Sequence, residues 1–254
     1  MLDLYVSGAI ALGVSVLLLW VISMLRGHVS FIDAFWGTGF VITAFAAAFG
    51  LMELGDTQVL TLTLLSLWGF RLSAYLLWRY LNHGEDARYK KILGPREGLS
   101  RHIYSLFIVF ILQGALILVV SAPVIGILSD NPQPLDGFAL AGAAVWAIGF
   151  YFEAMGDWQL MRFKADPANE GKIMDRGLWA WTRHPNYFGD FCVWWGIWLI
   201  GHDLALIFAP LMMSFILMKW SGVPMTERGM MKRREGYARY MERTNAFFPR
   251  PPGI

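Results

Sequence analysis

The sequence predicts an all-α integral membrane protein, a bundle of seven transmembrane helices with its amino terminus outside and its carboxyl terminus in the cytoplasm. Three observations predict it. Long stretches without charge recur along the chain, and only 16% of its 254 residues are charged while 56% are hydrophobic. Apart from Arg71, every Lys and Arg falls in alternate loops or at their edges. A soluble domain ordinarily carries about a quarter charged residues, so the shortfall reflects the apolar stretches themselves.

A hydrocarbon core about 30 Å thick takes roughly 20 apolar helical residues to cross. The first stretch, Leu4–Leu25, is uninterrupted; the second, Phe31–Leu51, opens on Asp33; the third, Val59–Tyr80, carries Arg71 inside it. The fourth, Tyr104–Leu128, stops before the turn-former Asn131-Pro132-Gln133-Pro134. The fifth, Phe138–Trp158, ends in acids and bases. Gly201-His202-Asp203 then breaks a run too long for one crossing into Tyr187–Gly201 and Leu204–Trp220. Seven alternating spans sort the loops into two sets. Arg26, Arg79 to Arg101, Arg162 to Arg183 and Lys219 to Arg250 share one side, whereas Glu53 to Asp56, Ser129 to Asp136 and His202-Asp203 hold no Lys or Arg. The side rich in Lys and Arg is the cytoplasmic one, and the compact loops suit a bacterial inner membrane.

Several function classes drop out. A net charge of +2 gives nucleic acid nothing to hold, and the lone Cys192 supplies neither a disulfide nor a zinc site, so no metal is expected. Met1 to Tyr5 carry no positive charge and no cleavage pattern comes after them, so no cleavable signal is expected. No Gly-x-Gly-x-x-Gly follows a strand and no Walker-type loop, serine elbow or His-Glu-x-x-His occurs. No internal repeat marks an inverted-repeat transporter. Membrane lipids are expected neighbours, Lys232, Arg233 and Arg234 among their contacts, and nothing points to an obligatory protein partner.

Chemistry concentrates in the inner loops. In Thr182-Arg183-His184-Pro185-Asn186-Tyr187-Phe188-Gly189-Asp190, Pro185 suits a first helical turn. Free amides there, with Arg183 and His184, form an anion site, or else an ordinary interfacial helix start. Asn186 and Asp190, four apart, share a face. Glu153, Asp157 and Lys164 share another, by steps of four and seven. Acids at a membrane boundary are functional candidates unless nearby Arg and Lys merely neutralise them. On the third span Arg71, Tyr75, Trp78 and Asn82 form a stripe flanked by Arg79, with Asp33 the natural partner for Arg71, whether catalytic or structural. The tail brings Glu227-Arg228, then Tyr237 and Tyr240 on a packed or ligand-facing side, and Phe247-Phe248-Pro249.

These residues resemble the steroid 5α-reductase family, and within it a bacterial branch. The Arg-His-Pro-Asn-Tyr-Phe-Gly-Asp block, Asp157 with Lys164 seven residues on, and the Tyr-and-Arg tail closing on Phe-Phe-Pro carry the likeness, which is sharp from about Phe150 to Pro249. The resemblance implies a seven-helix bundle that uses NADPH to reduce a carbon–carbon double bond conjugated to a ketone in a lipid-soluble substrate. It implies cofactor contacts at Asn186, Asp190, Asp157 and Lys164, with Glu153, Arg183, His184, Arg228, Tyr237 and Tyr240 around them. Arg79, Arg88 and Tyr89 lie in the loop after span three, where the family also meets NADPH. It implies a single membrane domain, residues 1–103 on the substrate side and residues 104–254 carrying the cofactor loops and tail. The catalytic part departs from the family, which has a Gln-Glu pair at the start of span two and a Tyr on span three. Here Asp33 is the only acid in that region, and the Tyr position reads Trp68, with Tyr75 two turns further. Asp33, Arg71, Tyr75 and Trp68 are therefore the catalytic candidates, and a steroid is not implied as the substrate. The alternative is a membrane methyltransferase using S-adenosylmethionine. Isoprenylcysteine and phospholipid methyltransferases share the Arg-His-Pro-x-Tyr-x-Gly block and a Glu-containing tail. Asp190 after Gly189 and the Asp157-to-Lys164 spacing favour the reductase; a non-enzymatic lipid-binding protein would leave these polar residues without a reason.

Overall fold

A computed structural model describes residues 1–252. The described residues are all-helical, without a strand. Among the described residues, five helical stretches are long and apolar enough to cross a membrane: Leu2–Arg26, Asp56–His83, Gly98–Val120, Gly137–Ala165 and Leu204–Arg233. The segments expected as the second and sixth spans are helices of 17 residues each, Ile32–Ala48 and Pro185–Gly201. At 1.5 Å per residue each reaches about 25 Å, short of the full hydrocarbon thickness. The chain divides into two compact units, Met1–Asp136 and Gly137–Ile254.

In the first unit, α1 (Leu2–Arg26) ends at Gly27, whose φ of 69° lets its N–H cap Ser23 O. Next, α2 (Ile32–Ala48) packs on α3 (Asp56–His83). They meet backbone to backbone, because a Cβ on Gly37 would lie 2.2 Å from Gly69 O. Around that crossing Phe40 and Trp68 are fully buried, edge to face with centroids 5.6 Å apart. Beyond α3 come the short helices α4 (Ala87–Leu93) and α5 (Gly98–Ser105), and α5 passes through a π-helical segment, Leu106–Ile111, into α6 (Leu112–Val120). The path breaks at Ser121, and α7 (Ala122–Ser129), with Pro123 in its first turn, completes the stretch expected as a single span. Pro123 has no N–H to continue the ladder, which accounts for the break.

The second unit is built on α8 (Gly137–Ala165) and α10 (Pro185–Gly201), with the single turn α9 (Leu178–Trp181) between them. Gly142, Gly149 and Gly156 recur every seven residues on α8, and Gly189 and Gly196 do so on α10. A Cβ on Gly142 would stand 2.6 Å from Gly196 O, and one on Gly149 would stand 2.5 Å from Gly189 O. Small residues at such spacing let helices approach where water gives no hydrophobic drive between them. Beyond Gly201 come α11 (Phe208–Phe215), a π-helical segment Ile216–Trp220, α12 (Val223–Arg233) and α13 (Tyr237–Arg243). The tail folds back: Phe247 and Phe248 pack edge to face on Phe188 and Phe191 of α10.

Candidate functional site

Functional side chains gather in two clusters, one in each unit. In the first, Asp33 sits in the opening turn of α2 and accepts a short hydrogen bond from the Tyr89 hydroxyl. Arg88 Nη2 reaches the other Asp33 oxygen at 3.2 Å and Arg79 lies 4.0 Å from it. Gln113 Nε2 donates to the Tyr89 oxygen at 2.8 Å and lies 3.4 Å from Asp33 Oδ1. The sequence pointed to Arg71 as the partner of Asp33; the structure supplies Arg88, Arg79, Tyr89 and Gln113.

Local chain geometry explains why Tyr89 arrives there. Asp86 caps α4 by accepting from Arg88 N at 2.9 Å and from Arg88 Nε at 3.0 Å. Glu85 ties the preceding turn to the start of α2 by accepting from the amides of Val29 and Ser30 and from Ser30 Oγ. Burial opposes the charge on Arg88, but its bond to Asp86 and the nearby Asp33 and Asp86 outweigh that and push its pKa up. Burial and the adjacent Asp33 raise the Tyr89 hydroxyl far above its ordinary range. Tyr89 therefore keeps its proton at any physiological pH.

Of the remaining catalytic candidates, Trp68 is wholly buried, its ring edge to face with Phe40. Tyr75 stacks on Trp78 at 6.2 Å, and Arg71 is half-buried on α3 one turn before it.

In the second unit the glycine crossing sets the site. A Cβ on Gly189 would meet Glu153 N at 2.5 Å, so Glu153 lies directly over α10 and is 2% exposed. One turn on, Asp157 is 4% exposed and accepts from Asn186 Nδ2 at 3.2 Å. Lys164, on the same helix, has reached the exposed end. Asp190, half-buried, comes one turn of α10 after Asn186.

Arg183 and His184 take a different part from the one the sequence pointed to. The Arg183 guanidinium donates through Nε to Glu227 Oε1 at 2.7 Å, with Nη2 at the same distance, while Nη1 donates to the carbonyls of Met241 and Thr244. His184 places Nε2 3.3 Å from Glu227 and stacks on Tyr187 with rings 8° from parallel. Burial, assisted by the Arg183 charge and resisted by Glu227, holds His184 below its ordinary value. Tyr187 N is satisfied by Asn186 Oδ1 and Phe188 N by His184 O. The first turn of α10 thus spends these amides within the protein. Tyr240 donates to Trp179 O, and burial pushes the Tyr237 hydroxyl up to about 12. Together with Thr182 Oγ1 on Phe247 O and Arg183 N on Asn245 O, these contacts strap the tail onto the turn before α10. Arg228 is exposed on α12.

Gln113 and Glu227 were not among the site residues read from sequence. Gln113 is a polar residue in the run Ile111-Leu112-Gln113-Gly114, a signal in its own right inside a span. Glu227 is one of three acids in the tail segment, with Glu235 and Glu242, and needed a buried cation across the fold to single it out. Among the described residues no group of His, Cys, Asp and Glu is arranged to hold a metal.

Residues 19–244 match the family described as Protein of unknown function (DUF1295), and the chain belongs to that family. An uncharacterized protein of Schizosaccharomyces pombe is similar over 273 aligned positions at 24% identity, covering 92% of this chain and 76% of the relative. No solved structure matches the chain.

Proposed function

We propose that this member of the family is an NADPH-dependent membrane reductase acting on a carbon–carbon double bond conjugated to a ketone in a lipid-soluble substrate. The observation that carries the reading is the Asn186–Asp157 pair, with Asp190 one turn on, at the close crossing of α8 and α10. The resemblance to the steroid 5α-reductases assigns these three positions to the cofactor, and the family includes steroid 5α-reductase-like members.

The residues fit such a cofactor in part by a route other than the one read from sequence. Asn186 bonds Asp157 through one amide N–H and keeps a second to offer a carboxamide oxygen, while a carboxylate at 190 suits the carboxamide nitrogen or a ribose hydroxyl. Arg183 is committed to Glu227 and to tail carbonyls, so the phosphates fall to the exposed cations Lys164 and Arg228. Bound NADPH would supply a hydride. Asp157 orients Asn186, and the Arg183–Glu227 clasp holds the tail against the turn before α10. Within the first unit, the Tyr89 hydroxyl is held in one orientation by Asp33 and Gln113. The seven-span arrangement belongs to this reading, α2 and α10 crossing as short helices, with the loops rich in Lys and Arg in the cytoplasm. A bacterial inner membrane is its setting.

A second reading, a methyltransferase using S-adenosylmethionine, draws on the Arg183–Glu227 clasp. That clasp joins the Arg-His-Pro block to the Glu of the tail, the two features by which the chain resembles those methyltransferases. The test is thermal stability of the detergent-purified protein with NADPH, NADH or S-adenosylmethionine. A ligand at a hundred times its dissociation constant stabilises by about 2.7 kcal/mol when it binds only the folded state. A shift with NADPH that Asn186→Ala and Asp190→Ala abolish supports the reductase. A shift with S-adenosylmethionine alone overturns it.

A further inference from the structure

A cleft of about 540 Å³ in the first unit opens beside Gly27, His28, His83, Glu85, Lys90 and Arg101. We propose that it is a binding site for the phosphate of an anionic phospholipid headgroup, independent of the reductase reading and of any substrate.

Its place in the fold comes first. Gly27 caps the end of α1, His83 ends α3, and Arg101 lies in the first turn of the stretch Gly98–Val120. Three membrane-length helices thus stop at this cleft, which sets it at headgroup depth. Arg101 is fixed there by donating to Gly27 O at 3.0 Å, and Trp20 Nε1 ties α1 to α5 through His102 O at 2.9 Å.

The chemistry comes next. Lys90 is exposed and its ammonium has no hydrogen bond or ion pair among the described residues. Arg101 spends one donor on a neutral carbonyl and pairs with no carboxylate among those residues. The one acid in the lining, Glu85, turns its oxygens to the amides of Val29 and Ser30 and to Ser30 Oγ. Those neutral donors leave the Glu85 charge in place, so the lining sets two cations, Lys90 and Arg101, against one carboxylate, beside two imidazoles, His28 and His83. Basic pockets at the polar ends of membrane helices take lipid phosphate. Leu99, Ile103 and Phe107, at steps of four along the stretch that carries Arg101, are all exposed, as is Leu25 on α1. They give acyl chains a track leading from the cleft, which a soluble phosphate would not use.

The experiment is native mass spectrometry of the detergent-purified chain given phosphatidylglycerol or phosphatidylcholine. We expect at least fivefold preference for phosphatidylglycerol. Lys90→Gln, which removes no contact of the fold, should lower its retention about fivefold, equivalent to ~1 kcal/mol per basic residue. Lys172→Gln, at an exposed loop position of the second unit, should leave retention unchanged. Inorganic pyrophosphate in excess should not displace the lipid. Equal retention of the two lipids, or equal behaviour of Lys90→Gln and Lys172→Gln, would overturn the site. Displacement by pyrophosphate would overturn the lipid as its ligand and assign the cleft to a soluble phosphate. Arg101→Gln is a weaker probe, since it also frees the Gly27 carbonyl.

Discussion

Tyr89 donates its hydroxyl to Asp33, joining residues 56 positions apart into one polar pair. The same oxygen accepts from Gln113 on α6, so the phenol is fixed by a neighbour on each side. Its proton has one partner and no freedom to rotate away from it.

Tyr89→Phe leaves the Asp33 carboxylate and the Gln113 amide without their shared partner and is expected to destabilise the protein by about 1–3 kcal/mol in a thermal melt. The stabilisation by NADPH should survive. Lost NADPH stabilisation in this variant would instead place Tyr89 in the cofactor site, where the family resemblance first put it.

Gly189→Ala should destabilise the protein by about 1–3 kcal/mol, as other overpacked substitutions do. The added methyl would meet backbone atoms of Gly149 and Glu153, which have nowhere to go. Gly13→Ala, inside α1 where a Cβ meets nothing within 4 Å, is the control and should melt no lower than the parent. Equal melts for both variants would mean that α8 and α10 lie further apart than described.

Glu227→Gln removes the carboxylate that neutralises a buried guanidinium, Arg183 being 7% exposed. Breaking such a pair from one side costs about 3–5 kcal/mol. The loss should show first as faster amide exchange between Tyr237 and Phe248, because the clasp holds that segment. Unchanged exchange there would show that the carbonyl bonds of Arg183 suffice.

His184 is held below its ordinary value by burial, with Arg183 adding to and Glu227 opposing the effect. The unfolded chain therefore takes up a proton near pH 6.5 that the folded chain refuses. This contribution to stability is intact above about pH 6.5 and declines as pH falls below it. Thermal melts between about pH 7.5 and 5.5 should fall in the parent and flatten in His184→Gln. A parallel fall in both would assign the dependence to other groups.

The helical architecture was legible in the residues because hydrocarbon imposes a length rule that local reading can apply. The apolar stretches announce α1, α3 and α8, and Pro185 announces the start of α10. Polar partnerships were harder. Asp33 and Arg71 looked like a pair because they were the acid and base on neighbouring stretches, but α4 brings Arg88 and Tyr89 to Asp33 and no periodicity encodes that. Gln113 was hidden by the π-helical segment Leu106–Ile111, since each inserted residue turns the rest of the helix by about 100°. Arg183 looked like a phosphate ligand because Glu227, 44 positions later, was not visible as its partner. The seven-residue glycine repeat stood in the sequence throughout; its meaning needed both helices at once.

That repeat has a mechanical consequence. Two helices meshed at Gly142–Gly196 and Gly149–Gly189 cannot slide by one or two residues, because a side chain would then have to pass through a carbonyl. The next position that fits lies seven residues away, about 10 Å along the axis. The pair is a gear locked in one tooth, so any working movement of this unit must be a swing of its loops and tail, never a piston stroke.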